Sequence, residues 1–199
     1  MKKIIVIILT VFIHSLAFAG GYEIGSEARD FSLVNVDGSK VSLAKFKNAK
    51  GYIVVFTCNH CPFSQAYEQR IMDLDKKYAS KGYPVIAINS NDATIVPEDS
   101  YEHMVQLAAE KKYSFPYLYD ETQEIAATYG ATKTPHVFIL QKENSKNIVK
   151  YIGAIDNNTD DATLADKKYI EGAVDALLAG KKVVITETKA IGCSIKWKK

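Results

Sequence analysis

Stretches in which hydrophobic and polar residues alternate give way along the chain to stretches with apolar residues at every third or fourth position. The segment 30–36 alternates, and so does 40–43 after a short Asp-Gly turn, which predicts a β-hairpin. The run 52–57 is apolar and rich in β-branched residues, as in a strand buried on both faces of a sheet. At 62–78 the spacing changes to three and four, and Pro62 suits a first turn, so this segment is predicted to be a helix.

The rest of the chain continues the same alternation between elements. Strands are predicted at 83–89, 115–119, 137–140 and 148–152, and helices at 97–112, 121–129 and 163–178. Strands that alternate with helices predict an α/β fold, and the two late strands joined by a polar turn predict an antiparallel edge to its sheet. Since no repeat or linker divides the chain, residues 20–199 are predicted to form one domain.

The first nineteen residues have a different pattern. A basic start at 1–3 precedes the apolar run 4–16, and Ala-Phe-Ala at 17–19 provides a small-x-small cleavage pattern. An uncleaved membrane anchor is the alternative, but the apolar run is shorter than the roughly 20 residues that span a bilayer. Residues 1–19 are therefore predicted to be a secretory signal peptide cleaved near Ala19, which predicts a periplasmic or other extracytoplasmic location.

Charge narrows the choice of partners. The 199 residues are 47% hydrophobic and 24% charged, an ordinary globular composition. Removal of the signal peptide takes away two lysines and no acid, which leaves 23 basic and 23 acidic residues. A neutral protein without a basic block is a poor candidate for binding nucleic acid, because that affinity rests on neutralising phosphates. The chain is expected to be a monomer with no nucleic-acid partner.

The candidate chemistry lies in the segment FTCNHCPFS at 56–64. Its pattern places Cys58 at the end of a strand and Cys61 at the beginning of a helix. The positive end of the helix and the nearby His60 are expected to stabilise a thiolate, to lower the pKa of Cys58 and to make it the nucleophile. Cys61 would then resolve the mixed disulfide that Cys58 forms with a substrate, and His60 would tune the redox potential.

Two other interpretations of these cysteines are weaker. A single buried cysteine usually acts as a small hydrophobic residue, but two at this spacing on a strand-to-helix junction are typical of a redox pair. A zinc site needs more ligands than one C-x-x-C motif provides, and no second such motif exists. No metal is therefore expected. Outside the cytoplasm, moreover, disulfides can form and persist.

The order of elements, the CNHC motif and the Thr134-Pro135 pair before a strand together resemble the thioredoxin superfamily. The opening GSEARDFSLVNVDGSKVSLAKFK is similar to its redoxin branch, which includes AhpC/TSA-like and TlpA-like proteins. The strings FTCNHCP, AINSND, PEDS and AIGCSIKWK resemble a group of redoxin-like proteins over roughly residues 22–199. This resemblance implies a thioredoxin-like fold: a central mixed sheet flanked by helices, with an N-terminal β-hairpin extension.

The resemblance also implies a function. Thiol-disulfide oxidoreductases of this kind exchange disulfides with protein thiols, and they need no cofactor because the electrons reside in the sulfur pair. Pro135 is expected to be cis and to pack beside the cysteine pair, while Thr134 offers its backbone to an extended substrate. A reductant of this type would need a membrane redox partner to regenerate it.

The chain departs from the superfamily pattern at several positions. Thioredoxin has an acidic residue in the strand before its cysteines, where this chain has Tyr52, so the usual buried proton acceptor has no evident replacement. Relatives often have a cysteine and an aspartate where this chain has Lys133 and His136. Both residues could alter the charge near the thiolate.

Two alternative functions stay open. A thiol peroxidase of the peroxiredoxin type carries P-x-x-x-T/S-x-x-C, but alignment on Thr57 places Ile53 and His60 at the proline and cysteine positions. A copper carrier with a thioredoxin-like fold could use two cysteines and His136, although such carriers separate their cysteines by three residues.

Cys193, in the tail IGCSIKWKK, is the odd thiol if the other two cysteines pair. It is interpreted as a buried packing residue in the first place, with a third redox partner or an intermolecular bridge as the alternatives.

Overall fold

Ten strands and four α-helices form from residues 20–199, which are the residues that the computed structural model describes; the predicted signal peptide lies outside them. The strands are β1 (Glu27–Ala28), β2 (Leu33–Asn35), β3 (Lys40–Val41), β4 (Gly51–Phe56), β5 (Val85–Asn89), β6 (Tyr117–Tyr119), β7 (Lys133–Thr134), β8 (His136–Glu143), β9 (Lys146–Gly153) and β10 (Cys193–Ser194). The helices are α1 (Pro62–Tyr78), α2 (Tyr101–Lys111), α3 (Glu124–Tyr129) and α4 (Tyr169–Leu178).

Eight strands form one mixed sheet in the order β1-β9-β8-β4-β5-β6-β2-β3. β4, β5 and β6 run parallel, whereas β8 lies antiparallel to β4 and β9 lies antiparallel to β8. The predicted hairpin is confirmed as β2 and β3, which extend the sheet at one edge. The expected thioredoxin-like arrangement of a central mixed sheet flanked by helices is therefore confirmed.

The sheet separates two apolar clusters because successive residues of a buried strand point to opposite faces. On one face Ile53 and Val55 of β4 pack in the cluster that contains Ile71 of α1 and Val174 of α4. On the other face the remaining β4 side chains pack with α3 and with Ile195 from the C-terminal tail. Every residue of β4 is buried, as the continuous apolar run predicts.

Helix α1 has the predicted bounds, but the three other helices begin later than the sequence pattern predicts, α3 at Glu124 rather than at 121. α2 begins at Tyr101 rather than at position 97, because 97–99 forms a 3-10 turn and Ser100 is extended, its hydroxyl accepting a hydrogen bond from the N–H of His103. α4 begins at Tyr169 rather than at 163, after another 3-10 turn at 162–164.

The C-terminal tail forms an element that the sequence pattern does not predict. β10 pairs antiparallel with β7 in a small second sheet, with Cys193 opposite Thr134 and Ser194 opposite Lys133. Among residues 20–199, no helix is both long enough and apolar enough to cross a membrane.

Candidate active site

The two cysteines of the CNHC motif lie at the strand-to-helix junction that the sequence predicts. β4 ends at Phe56, and Cys61 is the N-cap residue of α1. Cys58 is 5% exposed and Cys61 is fully buried. Cys58 therefore lies three residues ahead of the helix cap, in the turn that leads into it.

The Thr134–Pro135 peptide bond is cis, as the resemblance implies. Since β8 lies antiparallel to β4 with His136 opposite Phe56, the residues just before β8 lie beside those just after β4. The sulfur of Cys58 is 3.4 Å from the Thr134 hydroxyl oxygen, and the sulfur of Cys61 is 3.3 Å from the Thr134 carbonyl oxygen. Both sulfurs thus contact Thr134, the last residue of β7, just before the neighbouring strand β8.

The disulfide in this structure joins Cys61 to Cys193, and Cys58 is the free thiol. The expected pairing of Cys58 with Cys61 is therefore not the one present, and the interpretation of Cys193 as a packing residue is wrong. The reason is the tail strand: β10 brings Cys193 opposite Thr134, which places its Cα 6.2 Å from that of Cys61. The sequence separation of 132 residues conceals this proximity.

The environment of Cys58 opposes ionisation. Burial raises the pKa of the Cys58 thiol, and the negative charge of Asp99 raises it further. Hydrogen bonding of the sulfur with the Thr134 hydroxyl, the N–H of Cys61 and the Ser64 hydroxyl acts in the opposite direction without overcoming the rise. The expected lowering of the Cys58 pKa is therefore wrong for this disulfide state, because loss of hydration outweighs the donors around the sulfur.

A buried carboxylate that the sequence analysis missed organises the turn between the two cysteines. Asp99 is completely buried and accepts hydrogen bonds through Oδ1 from the backbone N–H groups of Asn59 (2.7 Å) and His60 (3.1 Å). Its Oδ2 lies 2.6 Å from Nδ1 of His60 and accepts from the side-chain amide of Asn91 at 2.7 Å. Asp99 is thus a buried acid beside the CNHC turn, contributed by a different part of the chain from Tyr52.

The signal for this carboxylate was the string PEDS, in which an acid precedes a helix-capping serine. That pattern alone indicates a helix start rather than an active-site residue. His60, the predicted redox-tuning residue, lies beside this acid, with Nδ1 3.9 Å from the Cys58 sulfur. His60 therefore has two neighbours at the site, the carboxylate of Asp99 and the thiol of Cys58.

Lys133 and His136 contribute little positive charge to the thiol. Lys133 donates to the hydroxyl of Ser194 at 3.1 Å, on the tail strand. Burial lowers the pKa of His136 to about 4, and its Nδ1 accepts a hydrogen bond from the N–H of Thr132. His136 is consequently uncharged at neutral pH.

Cys58, His60 and Asp99 offer ligand atoms that all lie within 4.8 Å of one another, a spacing that one metal ion could bridge. Hydrogen bonds account for the arrangement, however, because the His60–Asp99 contact has hydrogen-bond length and both Asp99 oxygens already accept N–H donors. His136, the ligand of the copper-carrier alternative, is outside this group.

A cis-proline peptide facing cysteines at the end of a central strand, on a mixed sheet flanked by helices, defines the thioredoxin-like class of proteins. A thiol:disulfide interchange protein of the thioredoxin family from Chlorobium tepidum shares the fold, with a TM-score of 0.51 and 23% identity over 64% of this chain and 85% of its own. Within that class, the chain belongs to the Redoxin family, whose model matches residues 23–170. The predicted membership is confirmed.

Two further proteins are similar to this chain. An uncharacterized conserved protein from Geobacillus kaustophilus is 41% identical, covers 88% of this chain and 93% of its own, and superposes with a TM-score of 0.81. The thiol-disulfide oxidoreductase ResA from Bacillus thuringiensis subsp. konkukian is 28% identical over 121 residues, which are 61% of this chain. The aligned region spans 65% of that ResA relative.

Proposed function

We propose that this protein is a thiol-disulfide oxidoreductase that exchanges disulfides with protein substrates. The observation that carries the proposal is the convergence of three cysteines on Thr134, where a disulfide and a free thiol lie side by side. The resemblance to ResA, a protein named for this activity, supports it. No cofactor is required, because the sulfur atoms themselves carry the electrons.

In the proposed reaction Cys58 attacks a disulfide of the substrate. The thiol loses its proton, and its sulfur forms a bond to one substrate sulfur while the other substrate sulfur leaves as a thiolate. The donors around Cys58 stabilise the negative charge while it exists, and the buried Asp99 is placed to orient His60 near the departing proton. Cys61 then attacks the Cys58 sulfur, which releases the second substrate thiol and leaves a Cys58–Cys61 disulfide.

Thr134 and Pro135 provide the proposed substrate-binding edge. The backbone of Thr134 lies within contact of the reacting sulfurs and pairs with an extended strand, here β10. A substrate segment in extended conformation would form the same ladder of backbone hydrogen bonds. Because backbone groups supply these bonds, the edge accepts varied sequences around the reacting cysteine.

The proposed compartment is extracytoplasmic. The predicted signal peptide at 1–19 directs export, and an oxidising environment allows the Cys61–Cys193 disulfide to persist. The proposed form is a monomer. If the protein reduces its substrates there, a membrane redox partner must return electrons to it.

The experiment uses two matched double variants of the mature chain. Cys61→Ser/Cys193→Ser retains only Cys58 and should trap an oxidised protein substrate, such as insulin, as a mixed disulfide that dithiothreitol reverses. Cys58→Ser/Cys193→Ser retains only the fully buried Cys61 and should give no adduct. In the otherwise unchanged chain, Cys58→Ser should reduce insulin-reduction turnover to the level of buffer, and full turnover in that variant would contradict the assignment of the nucleophile.

A further inference from the structure

The C-terminal tail lies where an extended substrate would lie. β10 runs antiparallel to β7, and the N–H of Ile195 donates to the carbonyl of Thr132 at 3.2 Å. Cys193 is the residue of this strand directly opposite Thr134. The tail therefore presents a cysteine to the active site in the manner expected of a protein substrate.

The fit of the tail against this edge is close. Gly192 has no room for a side chain, because a Cβ atom there would overlap the carbonyl oxygen of Thr134. Two residues after Cys193, Ile195 is 4% exposed and belongs to the apolar cluster that also contains Phe138. Cys193 is thus held on one side by the close backbone contact at Gly192 and on the other by the buried side chain of Ile195.

Backbone hydrogen bonds anchor the tail beyond the cysteine. The carbonyl of Lys196 accepts from the N–H of Asp92 at 2.9 Å and from the side-chain amide of Gln123 at 2.7 Å. The N–H of Lys196 donates to Oδ1 of Asn91 at 2.9 Å, and the N–H of Lys198 donates to Oε1 of Gln123 at 2.7 Å. Partners from two separate loops therefore hold the tail in place.

From this placement we infer that Cys193 is a third redox cysteine and that the tail strand is an intramolecular substrate of the active site. This inference deepens the proposed function and rests on it. The oxidising equivalent taken from a substrate passes from a Cys58–Cys61 disulfide to the Cys61–Cys193 disulfide. The present structure is the end state of that transfer, with its disulfide on the tail and Cys58 free.

The transfer is an isomerisation that needs no external oxidant. The Cys193 thiol loses its proton to water, and its sulfur attacks the sulfur of Cys61. The Cys61–Cys193 bond forms as the Cys58–Cys61 bond breaks, and the electron pair of the broken bond stays on Cys58, which takes up a proton. One disulfide is present before and after the step.

Two consequences follow from the end state. Cys58 is restored as a thiol, but β10 covers the backbone edge of Thr134, so a second substrate can pair there only after the bond to Cys61 is reduced and the tail strand is displaced. The reverse step requires the Cys58 thiol to lose its proton, and burial of that thiol in this disulfide state disfavours the ionisation.

The test follows the disulfides through one turnover. Fully reduced mature protein is mixed with excess insulin, samples are quenched in acid at intervals, and free thiols are alkylated before peptide mapping. In the unchanged chain, Cys58–Cys61 should rise first and then decline as Cys61–Cys193 replaces it. In Cys193→Ala the first phase should keep its rate, and Cys58–Cys61 should be the final product. Ser194→Ala, which removes an exposed hydroxyl next to Cys193 together with its exposed hydrogen bond from Lys133, should behave as the unchanged chain does.

The outcomes separate the two proposals. If the unchanged chain reduces insulin but stops at Cys58–Cys61 with Cys193 alkylated throughout, the inference about the tail is wrong and the proposed function stands. The inference is also wrong if Cys58→Ala forms Cys61–Cys193 as fast as the unchanged chain, because Cys58 is then bypassed. If insulin oxidises none of the three cysteines, the proposed function fails. A parallel series with oxidised glutathione then tests the tail alone, and persistence of Cys58–Cys61 in that series overturns the inference.

Discussion

Cys58 is a thiol whose surroundings favour its neutral form. It is almost fully buried, and the carboxylate of Asp99 adds a repulsive negative charge. Hydrogen bonding of the sulfur with the hydroxyl groups of Thr134 and Ser64 and with the N–H of Cys61 nevertheless lowers this pKa in part. The reactivity of Cys58 therefore depends on burial, on the charge of Asp99 and on hydrogen bonds to the sulfur, and not on the CNHC motif alone.

Replacement of Asp99 tests this balance. Asp99→Asn removes the like charge, so the pKa of Cys58 should fall, and alkylation of Cys58 at mildly alkaline pH should become several-fold faster. The measurement is the iodoacetamide reaction rate as a function of pH in the oxidised protein, where Cys58 is the free thiol. Asp37→Asn, in the exposed turn of the β2–β3 hairpin, should leave the profile unchanged. A profile for Asp99→Asn that stays in place would show that burial alone determines the shift, and one that moves to higher pH would show that Asp99 lowers the pKa of Cys58.

The positions of active-site residues could be predicted where those residues are close in sequence to the cysteines. The order of Cys58 and Cys61 at a strand-to-helix junction follows from local pattern, and it is confirmed. Asp99 could not be identified in this way, because it approaches the CNHC turn only through the packing of a distant loop. The direction of the Cys58 pKa shift also depends on burial, which the helix-dipole argument does not include.

The tail strand β10 depends on one glycine, Gly192, at its N-terminal side. An alanine at position 192 would clash with the Thr134 carbonyl group, and such overpacking costs about 1–3 kcal/mol. Gly192→Ala should therefore lower the fraction with a Cys61–Cys193 disulfide at a fixed glutathione ratio, with the equilibrium constant for forming this disulfide reduced about tenfold. Quantitative alkylation and mass spectrometry measure this fraction.

A matched glycine elsewhere provides the control. Gly172 lies in α4 with nothing within 4 Å of the position that a Cβ would take. Gly172→Ala should leave the disulfide distribution unchanged and stabilise the protein by about 0.5–1 kcal/mol, because alanine loses less conformational freedom in a helix. Equal effects of the two substitutions on the disulfide would mean that β10 does not depend on the close approach at Gly192.

The long periodic elements could be predicted because each contains enough residues to show a period. The bounds of α1 match those predicted, whereas the helix predicted from position 97 begins at Tyr101 because Ser100 caps it. β10 could not be predicted, since two residues show no alternation and its partner β7 is equally short. β10 forms because residues distant in sequence, among them Asn91 and Gln123, hold the tail by hydrogen bonds.

For the whole molecule, the Cys61–Cys193 bond links the active site to the end of the chain. A bond across 132 residues restricts the unfolded chain, and the chain-entropy argument gives a stabilisation of about 3–5 kcal/mol. In Cys58→Ala, which keeps this bond, a reductant should lower the free energy of unfolding by about that amount. Guanidinium titrations with and without reductant measure the difference.

The control is Cys58→Ala/Cys193→Ala, which has a single cysteine and cannot form an internal disulfide. Its free energy of unfolding should not respond to reductant. A Cys58→Ala protein that is equally stable with and without reductant would indicate that the bond adds no more than the tail contacts already provide. The fold as a whole was predictable from its motifs, but the choice among three cysteine pairings was not, because it rests on tertiary contacts.

The anchors on both sides of Cys193 have a consequence for competition with small thiols. Upstream, the hydroxyl of Thr188 accepts from the N–H of Ala154 at 2.9 Å, and downstream the backbone of Lys196 is fixed to two loops. A Cys193 thiol released by reduction is therefore tethered near Cys61, at an effective concentration of about millimolar or higher. When Cys61 holds a small thiol as a mixed disulfide, attack by Cys193 on the Cys61 sulfur forms the Cys61–Cys193 bond and releases the small thiol, in a first-order step that does not depend on protein concentration. A soluble thiol keeps Cys61 from bonding to Cys193 only if it is more strongly reducing than Cys193 or is present above the effective concentration of the tethered Cys193 thiol.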